Sequence, residues 1–449
     1  MPDRSLKIQG RACPDLASGD RERAPGTTPS LSPKRVETYP AIWYTARGGN
    51  DIYWRAEAPA TAVGGRVSII KEKVAERALS YPNKDTGLPW QAEFTTLTGE
   101  TVIARTKGAW QKLAKGRLIF ADMDIVFPEH EGAAVFTRPC LARATLARYM
   151  RGQGVRTIAE SDDNYFSPSH WNLFLRRQGH GDELRDAHAK AFASMEANVF
   201  STEWLRDRYW QEFRARFGER GQKLDGMPEM HICRNSIPRG DWPVRDEGDG
   251  KLRVGFMGGG SHLWDIHQAY AAFNNARDYP NVETVVIGYS PGNPNPDMPE
   301  LRDENGNVID LETPVARDVR EKWAAVIDRH IPWVDPGAYR RAALPLDIGV
   351  APLQLNDFTL GKSDSKLIEY TISGAAIVCQ QHPTFTAGGW KHEVNCLMAG
   401  SQREMAVQTV RLIKDPKLRF DLVTAAQEMV WNQRNEETLR REWGYAIAG

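Results

Sequence analysis

Leu346-Asp347-Ile348-Gly349-Val350-Ala351-Pro352-Leu353 is an apolar strand candidate. It runs through the polar stretch Leu355-Asn356-Asp357-Phe358-Thr359-Leu360-Gly361-Lys362-Ser363-Asp364 into Ser365-Lys366-Leu367-Ile368-Glu369-Tyr370, a short helix that ends at Gly374. A second strand candidate, Ala375 to Cys379, follows at once, which makes a strand–loop–helix–strand unit of the parallel α/β type. In such a sheet the loop leaving a strand's carboxyl end is where ligands sit, because amides at the next helix's start are unpaired and point outward. Lys362, Ser363 and Lys366 stand at that place. Two ammonium groups and a hydroxyl suit a diphosphate, and Glu369, one turn beyond Lys366, can accept hydrogen bonds from ribose or sugar hydroxyls. Spacing alone favours a blander arrangement, a solvated helix with Lys366 and Glu369 paired.

Upstream, Lys251 to Met257 reads as a strand running into Gly258-Gly259-Gly260-Ser261-His262 and a helix over Trp264 to Phe273. Three glycines between a strand and a helix let the backbone wrap a phosphate against the helix's positive end, with Ser261 as the expected N-cap. The match to G-x-G-x-x-G is partial, and no acidic residue follows the next strand as a dinucleotide site requires. His262 can reach a phosphate or a sugar, and Asp265 either holds His262 or supports the first turn. Val282 to Gly288 and Ile331-Pro332-Trp333-Val334 are further strands, separated by a Pro/Asn/Gly-rich excursion.

The first half repeats the alternation more faintly. Ala41 to Thr45 leads to the glycine pair Gly48-Gly49, Val67 to Ile70 is the next strand, and residues 71–115 suggest an inserted hairpin to which no chemistry is assigned. Asp122-Met123-Asp124 follows an apolar run. Ala133 to Thr137, a helix over Leu141 to Arg151, and Val155 to Ala159 complete a βαβ unit ending in the acidic cluster Glu160 to Asn164. Adjacent carboxylates raise one another's pKa, which suits Asp163 to a general base; Asp163 and Asn164 equally suit a simple turn. An amphipathic helix over Arg185 to Ala197, a strand over Asn198 to Phe200, a helix opened by Ser201-Thr202 and a strand over Met230 to Arg234 close this half.

With 449 residues the chain is comfortable for two domains and a tail. Lys+Arg and Asp+Glu number 58 each, so net charge gives no support to a general polyanion partner. No run of 18 apolar residues marks a membrane span, and the charged first residues lack a signal-peptide core. Five cysteines, with no C-x-x-C pair, read as reduced thiols, so a cytoplasmic protein is expected.

The run "DIGVAPLQLNDFTLGKSDSKLIEYTISGAAIVC" resembles the donor-site segment of GT-B glycosyltransferases of the family-4 type, in which a Glu followed five residues on by Gly heads the last ligand-binding helix. Many of those enzymes carry two glutamates eight positions apart. Here Glu369 matches the second, while Gly361 stands at the first, as in a subgroup reading K-S-x-x-K-x-x-E-Y. Gly258 with His262 and Asp265 is similar to that subgroup's G-x-x-x-H-x-x-D, Asn235 to Pro238 to the crossing that ends the first domain, and Gly48-Gly49 to the first loop facing the cleft.

The resemblance implies two Rossmann-like doubly wound domains facing a cleft. Residues 1–38 are expected as a disordered or draped tail, 39–240 as the acceptor domain, 241–250 as the linker, 251–434 as the donor domain, and 435–449 as a helix crossing back. It implies transfer of a glycosyl group from a nucleoside-diphosphate sugar, the co-substrate, to a hydroxyl, with no other cofactor and no metal. Glu369, Lys366, His262 and Asp163 are the implied catalytic residues. The implied donor contacts are Gly258, Gly259, Gly260, Ser261, Lys362, Ser363, Lys366 and Glu369, with Trp333 or Val334 at the base. The acceptor stays open among glycan, lipid, protein and modified nucleic acid. Two alternatives stand beside this. The Asp122/Asp124 spacing is the metal-holding signature of the other major glycosyltransferase architecture, and would make a metal-dependent transferase. Gly361 in place of a glutamate is compatible with a catalytically silent nucleotide-sugar-binding protein.

Overall fold

A computed structural model describes residues 41–46, 53–71, 132–137, 154–167, 182–218, 226–238, 250–258, 262–288, 321–331 and 346–449, together with short strands between 91 and 125 and helical positions at 144, 147, 150 and 151. The first sheet is built from β1 (Ala41–Ala46), β2 (Arg66–Lys71), β3 (Gln91–Thr96), β4 (Thr101–Lys107), β7 (Asp122–Ile125), β8 (Ala133–Thr137), β9 (Thr157–Ser161), β10 (Ala197–Phe200) and β11 (Glu229–Ile232), while β5 (Gln111–Lys112) and β6 (Leu118–Ile119) pair apart from it. Its order is β11-β10-β9-β8-β1-β2-β3-β4-β7. The strands from β11 to β2 are parallel, and β3, β4 and β7 extend the sheet antiparallel. The stretch expected as an inserted hairpin is therefore the β3–β4 hairpin, and Asp122 and Asp124 lie in the sheet's edge strand.

The second sheet is wholly parallel, in the order β14 (Arg329–Ile331), β13 (Val282–Ile287), β12 (Leu252–Met257), β15 (Ile348–Ala351), β16 (Ala376–Gln380), β17 (Leu397–Ala399). Every residue of β8, β12 and β15 is buried, as strands covered by helices on both faces must be. The covering helices are α1 (Ala58–Val63), α2 (Asp182–Ala193), α3 (Glu203–Phe217), α4 (Leu263–His267), α5 (Tyr270–Ala276), α6 (Ser365–Ile372), α7 (Pro383–Ala387), α8 (Gln402–Lys414), α9 (Pro416–Gln433) and α10 (Glu436–Ala448). Helix α3 shows why they form: Thr202 caps it by accepting from the Leu205 amide, and Leu205, Tyr209, Phe213 and Phe217 bury one stripe.

Two expectations change. The helix read as continuous over Trp264–Phe273 is two short ones, because Gln268 and Ala269 bond back three residues, to the Asp265 and Ile266 carbonyls, and tighten the turn. Its N-cap is His262, not Ser261.

The chain passes between the sheets at Cys233–Pro238 and again near Arg434, and the Ile237 amide donates to the Arg434 carbonyl at 2.8 Å, tying the two passages together. Beyond the second passage α10 lies on the first sheet. Trp443 packs edge-on against Trp43, with ring centroids 5.4 Å apart, Arg440 Nε donates to the Ala62 carbonyl, and Glu442 pairs with Arg234.

Candidate functional site

In the second sheet β12 is followed by β13 on one side, whereas β15 returns on the other. Doubly wound sheets bind ligands in the crevice where the strand order reverses, which here lies outside the carboxyl ends of β12 and β15. Gly258 leaves β12 there, and the loop from β15 to α6 leaves beside it. Helix α6 is locked against this point by Tyr370, whose hydroxyl accepts from the Met257 amide and donates to the Val350 carbonyl, both at 3.0 Å. The Tyr370 ring fits because Gly349 has no side chain: a Cβ there would stand 2.5 Å from the ring.

One turn earlier on α6, Lys366 points at Gly258. Its Nζ lies 4.1 Å from the centre of the Phe256 ring, and a Cβ on Gly258 would approach it to 3.0 Å. The stem is half-buried, but Nζ is shielded from solvent and has no hydrogen-bond acceptor among the described residues. Burial lowers its pKa to about 8, against the opposing pull of Asp265 and Glu369. An ammonium desolvated without an acceptor is costly, and an anion delivered to the crevice would relieve it.

The expected Lys366–Glu369 pair gives way to a contact across the sheets: Glu369 Oε1 accepts from the indole N–H of buried Trp54 at 3.0 Å. His262 Nδ1 lies 2.8 Å from Asp265 Oδ2, while Asp265 Oδ1 accepts from the Gln354 amide. Burial, reinforced by the Lys366 and Lys362 ammonium groups, lowers the His262 pKa, so the ring is neutral at pH 7. A carboxylate can only accept, so the ring proton sits on Nδ1 and Nε2 is left as an acceptor, suited to a hydroxyl rather than a phosphate.

Three more contacts join the donor-side loop to the first sheet. Lys362 Nζ pairs with Asp163 Oδ1 at 2.5 Å, so both groups already have a partner. Asp163 belongs to a tight turn, with Ser161 Oγ and the Tyr209 hydroxyl donating to its carbonyl. Asn164 Oδ1 accepts from the Phe166 amide, and its Nδ2 donates to the Asp357 carbonyl. The acidic cluster thus forms a turn and also meets the opposite sheet. Ser363 Oγ accepts from Asn235 Nδ2 at 2.8 Å, and Asn235 Oδ1 accepts from Arg55. Arg55 is fully buried, pairs through Nε with Glu160 and donates to the Cys233 carbonyl.

Of the residues singled out in the sequence, the structure brings together Gly258, His262, Lys362, Ser363, Lys366, Glu369 and Asp163. Gly48, Gly49, Gly259, Gly260, Ser261, Trp333 and Val334 lie outside the described residues. Asp122 and Asp124 are at the edge of the first sheet, six strands from β9. Sequence reasoning missed Trp54 and Arg55, and read Asn235 only as part of the crossing that ends the first half. The signal available for Arg55 was an arginine standing directly before the alanine-rich stretch Ala56 to Ala62. It missed Asp364 too, whose Oδ2 takes Arg434 at 3.0 Å and the Trp390 indole at 2.9 Å, holding the start of α6.

No family model and no curated protein matches the chain. Solved structures do. A variant of S. aureus TarM in complex with fondaparinux, alpha-GlcNAc-glycerol and UDP is 8% identical, with 92% of this chain and 100% of that one covered at a TM-score of 0.52. The sucrose-phosphate synthase of Thermosynechococcus elongatus is 11% identical over 91% of this chain and 98% of that one, at 0.51. Anabaena HepE in complex with UDP is 9% identical over 91% and 99%, at 0.50. Two sheets whose carboxyl ends meet through Lys362–Asp163 and Glu369–Trp54, aligned with these structures along nearly whole chains, make this a protein of the GT-B fold.

Proposed function

We propose that the protein transfers a glycosyl group from a nucleoside-diphosphate sugar to a hydroxyl acceptor. The observation that carries the reading is the shielded Nζ of Lys366 against Gly258, without an acceptor among the described residues, at the switch point of a GT-B fold. UDP in the HepE and TarM complexes supports the same ligand class. In this reading Lys366, with Lys362, Ser363 and the amides of Gly258, Gly259, Gly260 and Ser261, holds the diphosphate. Their charge stabilises it as the leaving group forms, so the chain's contribution to rate is electrostatic and positional. His262 accepts from a donor-sugar hydroxyl at Nε2, and Glu369, oriented by Trp54, accepts from another or from ribose. Trp333 or Val334 receives the base, Gly48 and Gly49 border the cleft, and Asp163 faces the acceptor.

The test is a thermal-shift and calorimetric screen of UDP, GDP and ADP and their sugars, followed by assay of nucleotide release with an acceptor panel. A nucleoside diphosphate should bind the wild type and bind Lys366→Ala at least tenfold more weakly, by about the 1.4 kcal/mol or more expected of a charge-assisted contact. Equal binding by both proteins would overturn the site. Binding without nucleotide release across the panel would favour a silent binder, the alternative that Gly361 keeps open.

A further inference from the structure

The donor-side loop carries two lysines in different circumstances. Lys366 has no hydrogen-bond acceptor among the described residues, whereas Lys362 reaches across to Asp163 while its ammonium lies 4.7 Å from the Phe358 ring centre. The pair is partly shielded, with side-chain exposures of 27% and 12%. Asp163 is the fixed partner, since its backbone is pinned by Ser161 and Tyr209. Lys362 has the longer reach and sits where a three-residue turn, Thr359–Gly361, gives way to extended chain.

A diphosphate ester brings about two negative charges, and Lys366 neutralises one of them. The second calls for another cation, and among the described residues Lys362 is close enough to be felt by Lys366 and His262 alike. Moving its ammonium from a monoanionic carboxylate to a dianion also offsets the repulsion between the two lysines. We propose that Asp163 and the donor's diphosphate compete for Lys362. The ion pair is one of the contacts that hold the loop to the first sheet; when the diphosphate takes the ammonium, the Asp163 carboxylate exchanges this partner for the second substrate's hydroxyl, from which it accepts a hydrogen bond. Donor binding thereby precedes and prepares acceptor binding. This rests on the reading of Lys366 as a diphosphate-binding residue.

Calorimetric titration of UDP into the wild type, Asp163→Asn, Lys362→Ala and the double variant tests it, with uridine as a phosphate-free control and melting temperature as the check on folding. Removing the competing carboxylate should tighten UDP binding by about threefold to tenfold, the range of a partly exposed ion pair. Lys362→Ala should weaken it, the double variant should match Lys362→Ala, and uridine should bind all four alike. Asp163→Ala gives the same expectation should the amide fail to fold. UDP binding unchanged or weakened in a folded Asp163 variant, or an Asp163 effect that persists without Lys362, would overturn the competition. Failure of the wild type to bind any nucleoside diphosphate would instead overturn the reading beneath it.

Discussion

Lys366 sets function against stability within one side chain. Its pKa of about 8 in the folded protein lies below the value of roughly 10.4 for an unfolded lysine. At pH 7 both states carry the proton, and the folded state bears the full cost of the shielded ammonium; as pH rises past about 8 the folded state sheds its proton and the cost fades. Lys366→Met should therefore raise stability at pH 7 by about 1–3 kcal/mol in urea unfolding while nucleotide binding disappears. A variant that is less stable than the wild type would show that the ammonium is satisfied after all. Because the anion needs the protonated form, UDP affinity should fall as pH rises above about 8, displaced upward to the extent that bound phosphate raises the lysine's pKa. A flat calorimetric profile from pH 7 to pH 10 would count against Lys366 as the contact.

At the scale of elements, the strand–loop–helix–strand unit around α6 was legible because each piece announces itself locally. A fully buried parallel strand is a continuous apolar run, and Gly374 takes a positive φ of 77° at the helix end. The partners of the loop were not legible. Trp54 lies 315 residues from Glu369 in the chain and Asn235 lies 128 from Ser363, and nothing in the local pattern of either records the other. Gly361 is the instructive position. The resemblance marks this position only as one where many family-4 enzymes carry a glutamate; the structure shows that a Cβ there would stand 3.0 Å from Leu205 Cδ1 and 3.1 Å from Asn164 Cβ. The glycine lets the loop lie against α3 and the acidic turn. Gly361→Glu should thus push the loop off the first sheet, cost about 1–3 kcal/mol of stability and weaken UDP binding. Tighter binding with unchanged stability would mean that the loop has room to rotate.

Over the whole molecule, the second sheet follows its sequence closely, while the first departs where antiparallel β3, β4 and β7 are added to a parallel core. Parallel strands buried on both faces are distinctive in sequence, whereas strands added at an edge are short and mixed in composition, as Asp122–Ile125 is. Helix α10 matters most at this scale, because it carries residues from the end of the chain to the first strand. Trp443 is fully buried against Trp43, and Trp443→Ala should cost about 3–5 kcal/mol, measured by chemical unfolding. A loss below about 1 kcal/mol would show that α10 is only loosely attached.

No helix among the described residues is long and apolar enough to cross a membrane. The bond from Ile237 to Arg434 gives the molecule a geometry like a pair of tongs: both arms of the backbone run through one pin. Widening of the mouth turns about that pin, so in the proposed reaction a molecule gripped by both jaws leaves only as fast as they swing apart, and departure of the nucleotide is expected to be the slowest step.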